Sequence, residues 1–244
     1  LHDRGRVSYF VNEYEGAIEL YDEAIELRQT LLDEGARGDL RRELRTGLAS
    51  SLNDKGACLK RTGSLDEADT FYRAALAIRE ELELDDWVAA SLNNIATNLS
   101  EQERWGEART AFIDALGRIQ QLGDVNLVYH ARTEKNIARC SLELEDLDDA
   151  ERWLEKAHAH AIEAVGPDMP DVARCALVKA ELHLRRNEIE TARELCLSIF
   201  ETQVREEHPP LHVAATRELL GQVVEAAGND VQAAIEYQAA LDIL

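Results

Sequence analysis

Small and apolar residues recur along the chain at fixed spacings. A glycine or alanine is followed twelve residues later by alanine, four later by an aromatic or other apolar residue, and three later by a second small residue. Spacings of three and four place side chains on one face of a helix. Each copy of the pattern therefore predicts two antiparallel helices, A and B, whose backbones approach closely because small residues lie where they cross. The six copies begin at Gly5, Gly56, Ala96, Ala138, Ala180 and Gly221.

The pattern predicts twelve helices and no strand. Glycines 63 and 228 fall between A and B helices, and all four prolines fall in the two joints between the last three pairs, where helices must stop. One pair cannot bury its apolar face alone, so neighbouring pairs are expected to stack. The fifth copy departs from the pattern, since Cys196 and Ile199 replace the aromatic residue and the last alanine. The predicted A helices are 1–13, 39–61, 87–102, 125–144, 169–186 and 209–227, and the B helices are 16–33, 65–83, 105–121, 147–165, 188–206 and 230–244.

This register resembles the tetratricopeptide repeat (TPR), most strongly over residues 92–112, LNNIATNLSEQERWGEARTAF. The resemblance covers essentially the whole chain and implies an all-α, right-handed α-solenoid of about six helix-turn-helix pairs. Most successive copies lie 40 to 42 residues apart, as in kinesin light chains and bacterial peptide-sensing regulators, where the minimal repeat is about 34 residues. We expect a single solenoid over 1–244, cut from a longer chain because it starts at Leu1. Its repeats are predicted at about 1–34, 39–83, 87–122, 125–165, 169–206 and 209–244.

The charge of the chain indicates which partners are disfavoured, and its cysteines and arginines indicate the cellular location and the source. The chain has 48 acidic and 27 basic residues and a formal charge of −21, which disfavours nucleic acid and anionic membranes as partners. No apolar run approaches the length of a membrane span. The four cysteines form no CxxC pair and lie in apolar helical stretches, which indicates buried reduced thiols and a cytoplasmic protein. Arginine outnumbers lysine 22 to 5, a composition that suggests a bacterial source.

No group of residues in the sequence predicts catalysis. His158 and His160 point to different sides of a helix, and Pro209-Pro210 separates His208 from the helix that carries His212. Neither a nucleophile motif nor a glycine-rich phosphate loop is present. We therefore expect a protein that is not an enzyme and has no cofactor and no metal site.

The informative polar residues lie in the middle of the A helices, which by the TPR resemblance line the concave surface that holds peptides or partner helices. Asparagine is unfavourable inside a helix, yet its amide can pair with both the N–H and the C=O of a peptide. The alternative is that these amides bond to a neighbouring repeat or face water. The arginines suit an acidic ligand group, or else they pair with Glu143 and Glu181 in the groove. The predicted partner-binding residues are Asn94, Asn136, Arg132, Arg139, Arg174, Asn53 and Arg61.

The sequence favours a non-catalytic scaffold that binds a protein or peptide in the concave groove. The alternative is a ligand-sensing regulatory domain of a larger signalling or transcription regulator. Both hypotheses depend on the same residues. The fold alone does not distinguish between these two functions.

Overall fold

The computed structural model describes residues 1–121 and 127–243, and the chain divides into two compact units, Leu1–Asp124 and Val125–Leu244. Within the described residues all regular secondary structure is helical, with twelve helices and no strand. Predicted boundaries at positions 122, 125 and 244 lie outside the described residues. The helix bounds otherwise agree with the prediction to within three residues; α1, for example, ends at Phe10 rather than at 13.

The first unit contains three helix pairs. Within each pair the two helices pack together, and α2 packs on α3 and α4 on α5, so that the pairs form a continuous stack. The helices are α1 (His2–Phe10), α2 (Tyr14–Asp33), α3 (Gly38–Arg61), α4 (Leu65–Glu81), α5 (Asp85–Glu101) and α6 (Trp105–Gln121).

The second unit repeats this arrangement with three further pairs. Its A helices α7, α9 and α11 also contact one another in sequence, α7 with α9 and α9 with α11. The helices are α7 (Leu127–Glu143), α8 (Leu147–Val165), α9 (Pro170–Arg185), α10 (Ile189–Arg205), α11 (Pro210–Ala226) and α12 (Asp230–Leu241). The single continuous solenoid over 1–244 stays a prediction, because each unit is a stack in its own right.

The repeated small residues form the centre of each helix pair. The first alanine of each B helix is excluded from solvent, with an exposed fraction between 0% and 2%. A larger side chain there must push the paired helices apart. These alanines are Ala17, Ala68, Ala108, Ala150, Ala192 and Ala233.

The size of the first small residue in each copy matches the side chain sixteen residues later. Where that later residue is tyrosine the small residue is glycine, and where it is Phe112, Leu154 or Cys196 the small residue is alanine. A β-carbon on the glycine would lie 2.5 to 3.0 Å from the tyrosine ring, which is closer than packed carbon atoms approach. The glycine is therefore required by contact with the ring. The three pairs are Gly5 with Tyr21, Gly56 with Tyr72, and Gly221 with Tyr237.

Each turn from an A helix to a B helix contains one residue in the left-handed region. Gly63 and Gly228, which the sequence placed between A and B helices, hold this position in the second and sixth pairs. The other four pairs place a residue with a side chain there, which costs about 1–2 kcal/mol relative to glycine. Those residues are Asn12, Glu103, Glu145 and Asn187.

All four cysteines are buried and free, as expected from their apolar surroundings. Burial raises the pKa of the Cys58 and Cys175 thiols to about 11 and that of Cys196 to about 12, so these thiols stay protonated and unreactive at neutral pH. Among the described residues, none of the helices combines the length and the apolar character that crossing a bilayer requires.

Candidate functional site

The three A helices of the second unit form the walls of a groove, named here the α7–α9–α11 groove. It contains two cavities of about 650 and about 380 Å³. The cavities adjoin, because Leu177, Val178, Ala215 and Glu218 line both of them. Cavities of this size are typical of small-molecule and side-chain binding sites.

The larger cavity has an apolar wall and one cationic corner. Leucines 177, 211 and 241 from α9, α11 and α12 provide much of the wall, together with alanines of the same helices. Lys135 of α7, Arg174 of α9 and His212 of α11 meet at the corner. The cavity can therefore accept an apolar group whose end carries negative charge.

Lys135 is the residue that gives the corner its chemistry. It is partly buried and has no hydrogen bond or ion pair among the described residues. Burial, and after it the positive charge of Arg174, lowers its pKa to about 8. The amine is still mostly protonated at neutral pH, so the cavity holds a positive charge that lacks a counter-charge.

Two further polar atoms near the cationic corner lack partners. Gln203 lines the cavity and donates from Nε2 to the carbonyl of His212 at 3.3 Å, while its buried Oε1 has no hydrogen bond. His212 approaches Arg174 at 3.5 Å through Nε2, and its buried Nδ1 is also unpaired. Such unpaired buried atoms are rare in folded proteins.

The smaller cavity contains a closed network of ion pairs. Arg139 lies 3.4 Å from Glu143 and also pairs with Glu181. Arg185 pairs with the same two carboxylates, at 2.8 and 3.1 Å. The structure thus shows for Arg139 the alternative reading of the sequence, in which the arginine pairs inside the groove and has little charge left for a ligand.

The other predicted residues of the second unit differ in whether their side chains have hydrogen-bond or ion-pair partners. Arg132 is exposed and Asn136 is partly buried, and neither has a hydrogen bond or ion pair among the described residues. Arg174 pairs with Asp171 one turn earlier on α9. Arg132 and Asn136 lie on α7 beside Lys135 and extend its polar surface.

The predicted residues of the first unit are held by other protein groups. Asn94 of α5 donates from Nδ2 to Oδ1 of Asn53 on α3 at 2.9 Å. The same oxygen lies 3.3 Å from a nitrogen of Arg79, a buried arginine that also contacts Ser91. Asn94 and Asn53 therefore link neighbouring repeats, which is the structural role weighed against ligand binding. Arg61 is exposed at the C-terminal end of α3.

The structure thus divides the seven predicted residues, with three in the first unit and four in the second. Sequence reasoning missed Lys135, although it lies three residues after Arg132 on the same face of α7. It also missed Gln203 and His212, whose roles depend on contacts between different helices. No local pattern marks those contacts.

Comparison with known proteins agrees with this architecture. A tetratricopeptide repeat family model matches residues 47–121 and 129–198, and a second model of the same description matches residues 1–35. A search of curated proteins found no match.

Several solved structures share the fold. BtubC (BKLC) from P. vanneervenii is 18% identical with a TM-score of 0.73, over 94% of this chain and 90% of that chain. A Rap conjugation gene regulator of plasmid pLS20, solved with a Phr peptide, is 13% identical with a TM-score of 0.72, over 98% of this chain and 74% of that one. A putative kinesin light chain from Podosopora anserina is 16% identical with a TM-score of 0.64, over 85% of this chain and 97% of that one.

At these identities the likeness concerns the fold alone. The family models together cover well over half of the sequence, and they follow the same helix pairs that the structure contains. The chain belongs to the tetratricopeptide repeat family.

Proposed function

We propose that this protein is a non-catalytic scaffold that binds a peptide or a segment of a partner protein in the α7–α9–α11 groove. In this proposal an apolar side chain of the ligand enters the larger cavity, and an acidic side chain or C-terminal carboxylate pairs with Lys135. The observation that carries the proposal is the amine of Lys135, which has no hydrogen bond or ion pair among the described residues and lies in the wall of a mainly apolar cavity.

Charge complementarity supports an acidic ligand group. The protein has a formal charge of −21, yet Lys135, Arg174 and Arg132 lie close together at this site. A hydrogen bond to a charged group contributes about 1.5–3 kcal/mol when both partners are removed from water. The carboxylate also removes the cost of holding Lys135 charged in a partly buried position.

Asn136 supplies the backbone recognition. Its amide is free among the described residues and lies next to Lys135 on α7, where it can donate to and accept from one peptide unit. We assign Asn94 and Asn53 to repeat packing instead, since their amides are bonded to each other. Arg61 is left outside the site because it lies in the first unit, where it is hydrogen-bonded to Tyr9. Arg139 is left outside because Glu143 and Glu181 already pair with it.

The four buried free thiols support a reducing compartment, and we propose a cytoplasmic location on that ground.

The site can be tested by selecting ligands from a phage-displayed library of random peptides. We expect enrichment of peptides with a large apolar residue close to Asp, Glu or the C-terminal carboxylate. Ala215→Trp places a large ring between the two cavities and should abolish the enrichment, whereas Ala159→Trp on the exposed surface of α8 should not. Enrichment of the same peptides on the Ala215→Trp variant would place binding elsewhere and refute the proposed site.

The alternative is a ligand-sensing regulatory domain. The observation that favours it is the similarity to the Rap regulator solved with a Phr peptide. A sensor must change conformation when its ligand binds, because a ligand shifts an equilibrium only by its differential affinity for two states. Small-angle scattering with a selected peptide separates the two functions: a changed radius of gyration indicates a sensor, and an unchanged one indicates a scaffold.

A further inference from the structure

Three side chains with metal-binding groups converge between α7 and α8, outside the α7–α9–α11 groove. His130 and Glu134 lie one turn apart on α7, and His160 faces them from α8. Their ligand atoms all lie within 4.8 Å of one another. The Nδ1 atom of His160 is 2.7 Å from Oε2 of Glu134, and the two imidazole rings meet edge to face with centroids 5.7 Å apart.

The burial of this cluster is hard to explain by packing alone. His130 is 5% exposed, and its Nε2 atom is buried with no hydrogen-bond partner. Glu134 is 2% exposed. Its carboxylate pairs with His160. An unpaired buried nitrogen and a buried carboxylate each cost free energy unless a further group satisfies them.

We propose that His130, Glu134 and His160 bind a divalent transition-metal ion, with Zn²⁺ as the best fit to this ligand set. Two imidazole nitrogens and one carboxylate oxygen are ligands that Zn²⁺ accepts, and a site with three protein ligands leaves one position for water. The side chain of His160 is 33% exposed, so the cluster can be reached from solvent. The ion gives the unpaired Nε2 of His130 a partner and neutralises Glu134.

Only small movements of the three side chains are needed for their ligand atoms to surround a zinc ion. Ligand atoms around a tetrahedral zinc ion lie about 3.3 Å apart, because each is about 2.0–2.1 Å from the metal. The 2.7 Å contact must open slightly, and the remaining distances must close by less than about 1.5 Å, which rotation of the imidazole and carboxylate groups provides.

The consequence for the molecule is a link between the two helices of one pair. Because the ion binds only when α7 and α8 are packed together, it stabilises the second unit by an amount that grows with the logarithm of its concentration relative to Kd. This revises the expectation from sequence that the chain has no metal site. The signal in the sequence was the His130–Glu134 spacing of four residues, which places both side chains on one helix face.

The test is titration of the metal-free chain with ZnCl₂ by calorimetry, and with CoCl₂ by visible absorption. We expect one equivalent of Zn²⁺ and the intense absorption of four-coordinate Co²⁺. His130→Ala and Glu134→Gln should each weaken binding by at least about tenfold, the lower bound for changes even outside the ligand set. His183→Ala is the matched control, because it removes a different His–Glu pair, with Glu188, and should leave the affinity unchanged.

Far-UV circular dichroism shows whether each variant keeps its helices. Glu134→Gln preserves the shape of the side chain, so its zinc affinity tests the proposal even if His130→Ala unfolds. Absence of a stoichiometric zinc site, or equal affinity in the wild type and Glu134→Gln, would overturn the proposal.

Discussion

Replacing Gly56 by alanine tests the packing rule that links the small residue of each repeat to the side chain sixteen positions later. Alanine is the better helix former by about 1 kcal/mol, so helix propensity alone predicts stabilisation. The new β-carbon, however, would lie 3.0 Å from two ring atoms of Tyr72 and 3.3 Å from the backbone oxygen of Ala68. Tyr72 is 1% exposed and cannot swing into solvent.

The steric cost of this contact should exceed the free energy gained from the higher helix propensity of alanine. Forcing an extra carbon into a packed core costs about 1–3 kcal/mol, and here the second obstacle is backbone. Subtracting the gain of about 1 kcal/mol in helix propensity leaves a net loss of up to about 2 kcal/mol, which lowers the melting temperature by up to roughly 8 °C in a chain of this size.

The matched control is Gly117→Ala, which lies inside α6 with open space around the added carbon. It should raise stability by about 0.5–1 kcal/mol. Thermal melts followed by far-UV circular dichroism measure both variants. Stabilisation by Gly56→Ala as large as that by Gly117→Ala would refute the contact argument.

Further predictions concern the repeat core, a turn and the groove. Ala108→Leu forces α5 and α6 apart and should cost about 1–3 kcal/mol in denaturant unfolding, whereas Glu107→Leu on the exposed side should be nearly neutral. Glu103→Gly removes a left-handed residue from the α5–α6 turn and should raise the melting temperature, a gain of about 1 kcal/mol. The folded state holds the pKa of Lys135 near 8, below its unfolded value, so the unfolded state binds more protons between about pH 8 and 10. Wild-type stability should therefore rise relative to Lys135→Met over that range, and a constant difference would contradict the burial of the amine.

The sequence was sufficient to predict the helices because the repeat pattern depends on local spacing. Ala108 and Ala150, assigned to helix crossings from their register alone, are 0% exposed in the structure. The turns at Gly63 and Gly228 were predicted for the same reason, since glycine marks the left-handed position. The equivalent Glu103 and Glu145 could not be found this way, because glutamate does not signal a left-handed turn.

The candidate site was predicted less well, because its properties depend on which side chains meet across helices. Asn94 and Asn136 hold equivalent positions in their repeats, yet the first is bonded to Asn53 and the second is free. The difference lies in a hydrogen bond from Asn94 to a residue of another helix, α3. No spacing within α5 or α7 reveals it.

The ion pairs of the α7 arginines also could not be predicted from the sequence of one helix. Arg139 and Arg132 lie on one face of α7, and only Arg139 finds carboxylates, because Glu181 projects from α9 at its level. Lys135 acquires its importance from the cavity that α9, α11 and α12 form around it. Cavity walls are contributed by residues up to about a hundred positions apart, so sequence patterns that describe one helix at a time do not contain them.

The most direct test of the account is the affinity of a selected acidic peptide for two lysine variants of the second unit. Lys135→Met removes the unpaired amine from the larger cavity, and Lys179→Met makes the same change on the exposed surface of α9, away from the groove. Isothermal titration calorimetry should show binding weakened about 10- to 100-fold by Lys135→Met, corresponding to the loss of one charge-assisted hydrogen bond, and unchanged by Lys179→Met. Equal affinities for the wild type and Lys135→Met would contradict the account.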